Sequence, residues 1–282
     1  MTLAERVLGA ILEVDPATLS GRARLKAAIE ARRLLIRFRD PLVRYRIEGV
    51  EVLLPLSHEL PFYRKDHPRY NEAVGRIAAQ LGGPVVDVGA NVGDTAAAIR
   101  ALTDVPILCV EGDERFFGLL ERNARRLDPA PELERAFVEA PARGRVEAAR
   151  GTARILAGGG ELPSKPLARI LEEHPRFAEP ALLKLDTDGF DVPILLANVE
   201  LLARLRPVLF FEYDPHLGAE PSVFERLRDV GYRRAHVYEN TGEFVRSVEL
   251  AKDDIHSPYV GHSGARYADV CAFTNDCEGL EP

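Results

Sequence analysis

The chain has 282 residues, of which 46% are hydrophobic and 29% charged, and its net charge is −7. That length and apolar content fit one large domain, or one domain with an appendage. The acidic balance argues against a nucleic-acid binder, and no apolar run approaches the roughly 18 residues of a membrane span. Cys109, Cys271 and Cys277 form no disulfide framework or metal-type pairing, which fits a reducing compartment. Glu5 and Arg6 interrupt the first apolar stretch, so it does not read as a signal peptide. The expected location is cytoplasmic, with no membrane and no nucleic-acid partner.

Leu3 to Val14 reads as an amphipathic helix, and Leu25, Ala28, Ile29, Arg32, Leu35 and Ile36 mark a longer one ending near Arg37. Its arginines fit the wet face of that helix. Leu42 to Ile47 and Val50 to Leu54 alternate around Glu48-Gly49 as a hairpin. Ser57 to Pro68 is polar, aromatic and Pro-broken, which is loop composition. Tyr70 to Leu81 reads as a helix stopped by Gly82-Gly83.

Strands and helices then alternate. Strands are expected at Val85 to Val88, Ile107 to Val110, Leu133 to Val138, Ala181 to Leu185 and Pro207 to Phe211. Late strands follow at Arg234 to Tyr238 and Ala268 to Thr274, with a long loop from Phe244 to Tyr267 between them. Helices are expected at Phe116 to Leu127, Pro166 to Glu173, Pro193 to Leu205 and Ser222 to Val230. Val146 to Ala157 suggests two short strands, with Gly158 to Gly160 as a turn. The alternation predicts an α/β sheet covered on both faces, with ligands at the carboxyl ends of strands. Asp87, Glu111, Asp186 and Glu212 all fall at or near such ends.

Val85 to Thr95 reads as a buried strand, a tight turn with Gly89 and Gly93, and a helix start. Glu111, ending the next strand, is placed to accept hydrogen bonds from a ribose diol. The G-x-G-x-x-G pattern of dinucleotide sites is absent, and Asp87 stands ahead of the glycines. A negative charge there suits an ammonium and a sulfonium better than a pyrophosphate. S-adenosylmethionine is therefore favoured over NAD. The competing readings are a nicotinamide-dependent oxidoreductase and a non-catalytic binding module that kept the fold.

Val86-Asp87-Val88-Gly89-Ala90-Asn91-Val92-Gly93-Asp94-Thr95 resembles motif I of the FkbM-type methyltransferases. Val110-Glu111-Gly112-Asp113, with Leu120 and Asn123, is similar to that family's acidic second motif. Leu182 to Asp191 looks like its L-L-K-I-D-x-E-G-x-E segment, with Asp188 and Asp191 in place of both glutamates. Arg206 to Glu212 looks like its R-P-x-x-x-x-E strand. The resemblance runs from about Pro84 to Asp214. It implies a Rossmann-like class I methyltransferase sheet, mostly parallel with a reversed final strand. It also implies methyl transfer from S-adenosylmethionine to a hydroxyl, with S-adenosylhomocysteine as product and sugar units or polyketides as family acceptors. Residues 1–80 are expected to form an N-terminal cap of helices, hairpin and substrate-side loop, and 81–282 the methyltransferase domain. The cap is also a candidate dimerisation arm.

The expected cofactor residues are Asp87, Gly89, Ala90, Asn91 and Gly93 on the turn, with Glu111, Gly112 and Asp113 after the second strand. Methyl transfer to an alcohol benefits from a general base. His58, Asp186 and Asp188 are the catalytic candidates. Asp191, Glu212 and His262 are expected on the substrate side, with helix capping as the competing role for Asp188, Asp191 and Glu212. Lys184 lies on the Asp186 side and is placed to pair with it. Hard cations take oxygen ligands, but a metal is not favoured over these roles.

Overall fold

The computed structural model describes residues 1–15, 17–149, 152–217, 219–259, 267–277 and 279–282. Helices α1 (Leu3–Glu13) and α2 (Leu19–Phe38) precede a hairpin of β1 (Leu42–Ile47) and β2 (Val50–Pro55). Glu48 and Gly49 turn it with φ of 46° and 88°, a left-handed pair that matches strand twist. The expected loop at 57–68 instead contains α3 (Leu60–Asp66). Pro61 falls in its first turn, where a missing N–H removes no helical bond. Helix α4 (Glu72–Leu81) follows.

The second part begins with β3 (Val85–Val88), α5 (Asp94–Arg100), β4 (Ile107–Val110), α6 (Glu114–Ala124) and β5 (Glu132–Glu134). A separate hairpin comes next, β6 (Arg143–Ala149) with β7 (Thr152–Glu161), then α7 (Leu167–Glu173). The chain continues through β8 (Leu182–Leu185), α8 (Asp191–Ala197), α9 (Val199–Leu205), β9 (Val208–Tyr213) and α10 (Ser222–Asp229). Strands β10 (Tyr232–Glu239), β11 (Phe244–Glu249) and β12 (Ala268–Thr274) close it.

Eight of these strands form one sheet in the order β11-β10-β12-β9-β8-β3-β4-β5. β5, β4, β3, β8 and β9 are parallel. β12 runs antiparallel between β9 and β10, so the reversed final strand is present. The chain leaves β3 on one side for β4 and returns on the other side to β8. The turn after β3 therefore lies at the switch in strand order, where a crevice opens.

Several boundaries differ from the sequence expectation. The apolar stretch at 133–138 is two pieces: β5 and a two-residue strand, Phe137–Val138, paired with Ser164–Lys165. Gly158 to Gly160 are inside β7 rather than a turn. A Cβ at Gly159 would lie 2.3 Å from the Gly144 carbonyl oxygen, so this crossing needs a bare backbone. Residues 150–151, between these two strands, lie outside the described residues. The helix expected over 193–205 breaks at Asn198, whose amide donates to Glu139 and to the Ile194 carbonyl. The late loop contributes β11.

Alternation along β3 divides the core. Val85 packs in a cluster with α4, α5 and the β1–β2 hairpin, whereas Val86 and Val88 pack with α7, α8 and α10. Asn123 on α6 ties the hairpin to the glycine turn. Its Oδ1 accepts the Leu53 N–H at 2.7 Å, and its Nδ2 donates to the carbonyls of Leu53 (3.0 Å) and Val92 (2.8 Å). Among the described residues no helix is long and apolar enough to cross a membrane.

Candidate active site

The crevice is built on the turn between β3 and α5. Gly89 has φ of 78°, and a Cβ there would lie 1.8 Å from the Asp186 carbonyl oxygen. Only glycine lets the two strand ends meet. We therefore expect Gly89→Ala to lower stability by roughly 1–3 kcal/mol through backbone strain and to weaken cofactor binding. Denaturant melts and calorimetric titration of S-adenosylhomocysteine measure both effects.

Two cavities share this border. The first, about 590 Å³ including space open to solvent, is walled by Gly89, Asn91, Glu111, Gly112, Phe137 and Phe190. The second, about 1990 Å³ by the same measure, is lined by His58, Tyr63, Tyr70, Glu212, Tyr267 and Asp269 among others. Gly89, Asn91, Asp186 and Asp188 belong to both.

Glu111 ends β4 and is 7% exposed. Its carboxylate accepts the N–H of Asn91 at 2.9 Å and of Asp113 at 2.7 Å. Burial pushes it up to about 7, against those two N–H groups. Each oxygen keeps acceptor capacity toward the pocket. Gly112 packs flat on Phe137, where a Cβ would fall 2.3 Å from the ring. This arrangement fits a nucleoside: a carboxylate for the ribose beside a slot walled by Phe137 and Val138 for a flat base.

Four of the eight expected cofactor residues line that pocket: Gly89, Asn91, Glu111 and Gly112. The other four support it from behind. Ala90 is buried. Gly93 closes the turn by donating to the Ala90 carbonyl at 2.8 Å. Asp113 caps α6, accepting from the N–H groups of Arg115 and Phe116. Asp87, placed by sequence at the methionyl end, lines neither cavity. It is wholly buried beside Lys184, its register partner on β8, with Nζ to Oδ1 at 3.0 Å. Burial raises the Asp87 carboxyl and Lys184 opposes that.

Lys184 also reaches Asp186, at 3.3 Å. Burial alone would lower its pKa, but Asp87, Asp186 and Asp94 outweigh burial and hold it well above the usual lysine range. Asp191, expected toward the substrate, is corrected to a buried brace. Its Oδ2 accepts the N–H and hydroxyl of Thr187 at 3.1 and 2.8 Å, shaping the loop that carries Asp186 and Asp188. Burial and Asp186 push it up to about 6. Asp188 has φ of 51°, so the extended geometry of β8 does not continue through it.

His58 lines the second cavity but is 7% exposed. Its Nδ1 accepts the Leu60 N–H at 3.2 Å, and burial lowers its pKa against the opposing hydrogen bond to Asn91. The neutral ring therefore carries its proton on Nε2 and acts as a donor there. That geometry opposes the expectation of a general base. His262 lies outside the described residues. Tyr63 belongs to the loop expected on the substrate side; Tyr70, Tyr267 and Asp269 were not anticipated at the site, nor was Phe137. Asp269 and Phe137 sit within apolar runs that read only as strands. Among the described residues no group of three or more side chains is placed to hold a metal ion.

The Methyltransferase FkbM domain family matches residues 87–238, which is 152 of 282 residues. The chain belongs to the FkbM methyltransferase family. It is an S-adenosylmethionine-dependent methyltransferase with the Rossmann-like class I sheet, which removes the nicotinamide alternative. Comparison with curated proteins gives no match. Among solved structures the chain is similar to a precorrin-6y C5,15-methyltransferase from Geobacter metallireducens, at 15% identity over 72% of this chain and 86% of that one, TM-score 0.42. It is also similar to a magnesium protoporphyrin IX methyltransferase from Synechocystis with bound S-adenosylmethionine, at 13% identity over 76% and 83%, TM-score 0.45. A methyltransferase FkbM from Methylobacillus flagellatus aligns at 16% identity over 54% of this chain and 38% of that one, TM-score 0.38. The assignment rests on the family match.

Proposed function

We propose that this FkbM-family protein methylates a hydroxyl of a sugar, a glycan or a secondary metabolite. The supporting observation is the shared border of the two cavities at Gly89, Asn91, Asp186 and Asp188. A nucleoside held at Glu111 and Phe137 extends across that border into the larger cleft, where the acceptor binds. The bound cofactor supplies a methyl group on a sulfonium, open to in-line displacement. Glu111 holds the ribose diol, and the slot walled by Phe137 and Val138 holds the base. Asp186 would accept the acceptor's proton as the hydroxyl takes the methyl group that the cofactor would supply. His58 donates toward Asn91 and positions that side chain at the turn.

A screen of methyl transfer from labelled S-adenosylmethionine to sugars, nucleotide sugars and polyketide alcohols tests the reading. Incorporation into a hydroxyl is expected; incorporation only into carbon, sulfur or protein side chains would overturn it.

The Glu111 role carries its own pH signature. Ribose hydroxyls donate to a carboxylate, so binding needs Glu111 ionised. With its free-protein value near 7, affinity for S-adenosylhomocysteine should fall as pH drops from 8 to 5.5, by about tenfold or more. Glu111→Gln should bind roughly tenfold more weakly at pH 8, from the loss of hydrogen bonds to a charged group, and lose the pH dependence. Calorimetric titration of the product at both pH values reads both. A pH-independent wild type removes the assignment.

A further inference from the structure

Glu212 on β9 and Asp269 on β12 are directly opposed partners in an antiparallel pair. Leu185 pairs with Phe211, so Asp186 follows β8 at the level of Glu212. Three carboxylates thus stand in a row across three neighbouring strand ends, and all three line the larger cleft. Like charges directly opposite in a sheet are destabilising. Lys184 is engaged with Asp87 and Asp186, and its charge lowers the Asp269 carboxyl without offsetting burial. Among the described residues neither Glu212 nor Asp269 forms a salt bridge with a lysine, arginine or histidine. Burial, with Asp186 and Asp191 nearby, raises both carboxyls well above their ordinary range.

Aromatic residues line the same cleft. Tyr63 and Tyr70 meet edge to face with centroids 4.9 Å apart, and Tyr267 lines the same space. Aromatic faces attract organic cations. Spaced carboxylates in a cleft that tyrosines also line match an ammonium group better than a bare metal ion, which would need ligands converging on one point.

We propose that the methyl acceptor is a hydroxylated amine, of the aminosugar or amino-alcohol class, whose ammonium group sits between Glu212 and Asp269 while its hydroxyl reaches Asp186. This rests on the reading of the larger cleft as the acceptor site, which comes from its border with the nucleoside pocket and not from its charge. The ammonium fills the gap between the opposed carboxylates, and the tyrosines shield it from water. A neutral sugar offers no positive charge to draw the protons from these two acids.

The experiment uses the full chain loaded with S-adenosylhomocysteine. Calorimetry or ligand-observed NMR compares a panel of aminosugars and amino alcohols with the N-acetyl derivative and the parent alcohol of each. The amines should bind at least about tenfold more tightly than their neutral partners, as expected for a charged hydrogen bond. Glu212→Gln and Asp269→Asn should each reduce that preference while leaving S-adenosylhomocysteine affinity unchanged, which also shows that the variants are folded. Amine binding should release protons, because Glu212 and Asp269, facing Asp186, Asp188, Asp191 and Lys184, ionise as the ammonium enters. Heats that vary with the buffer's ionisation enthalpy report this release. Neutral partners binding as well as the amines would overturn the proposal while leaving hydroxyl methylation standing. An amine panel that fails to bind the loaded protein at millimolar concentration overturns it too, as does magnesium chloride alone binding in a Glu212-dependent manner without amine binding. Failure of S-adenosylhomocysteine itself to bind would instead count against the nucleoside pocket.

Discussion

Lys184→Met should destabilise the protein by about 3–5 kcal/mol, the cost of leaving a buried charge without its partner. Lys184 is 3% exposed and Asp87 is wholly buried, so water cannot replace the lost ammonium. Methionine keeps the volume, which isolates the charge effect from a cavity. The loss should depend on pH in a defined direction. In the variant, burial holds the Asp87 carboxyl above its unfolded value with nothing to oppose it. At pH below the unfolded carboxyl's pKa, near 4, both states carry the proton and this penalty vanishes. As pH rises past that point, the unfolded state ionises more readily, and the penalty grows toward neutrality. Urea melts at pH 4 and pH 7 should show the larger difference from wild type at pH 7. The double variant Lys184→Met with Asp87→Asn should recover part of the loss. If the single variant is as stable as wild type at pH 7, the buried pair does not hold the sheet centre together.

Asp186→Asn should slow methyl transfer by roughly 10²–10⁴-fold, the usual contribution of a positioned base. The prediction follows from place as well as type. Asp186 is the carboxylate that lines both cavities and also touches Lys184. The amide keeps the shape and can still accept a hydrogen bond, but it cannot take a proton. Cofactor affinity should therefore change little while the single-turnover rate collapses. His58→Ala provides the contrast. Its Nε2 proton makes it a donor, so its removal should act through Asn91 on cofactor affinity more than on the chemical step. Rapid-quench measurements with saturating cofactor separate the two. An unchanged rate in Asp186→Asn would move the base elsewhere in the cleft.

The crevice after β3 was legible because its signals are local. Gly89 and Gly93 mark a backbone bend, and Glu111 marks the end of the next strand. Both can be read from neighbouring residues. Asp87 shows the limit of that reading. Its type and position suit an ammonium ligand, but the ammonium it meets belongs to Lys184, nearly 100 residues later in the chain. Only the β3–β8 register makes them partners. The same applies to Asp269, whose meaning comes from facing Glu212 across β9 and β12. Phe137 was hidden for a different reason. An apolar residue after a strand reads as more strand, although here the chain has already turned to wall the pocket. Asp191 was expected on the substrate side, with helix capping as its competing role, yet the two bonds from Thr187 make it a brace. The fold was easier to read because hydrophobic period and turn residues are properties of short segments. Helix α3 escaped because proline discourages helix everywhere except the first turn.

The late insertion of β12 between β9 and β10 has a consequence for how the protein is made. A ribosome delivers β9 and β10 well before their shared neighbour. Until residues 268–274 emerge, two hydrogen-bonding edges stand open beside a strongly apolar sheet, a state prone to pairing with other chains. The same segment brings Asp269 and, just before it, Tyr267 to the cleft. Completion of the sheet and completion of the larger cleft are thus one event, so the cleft takes its final lining only as these two edges are sealed.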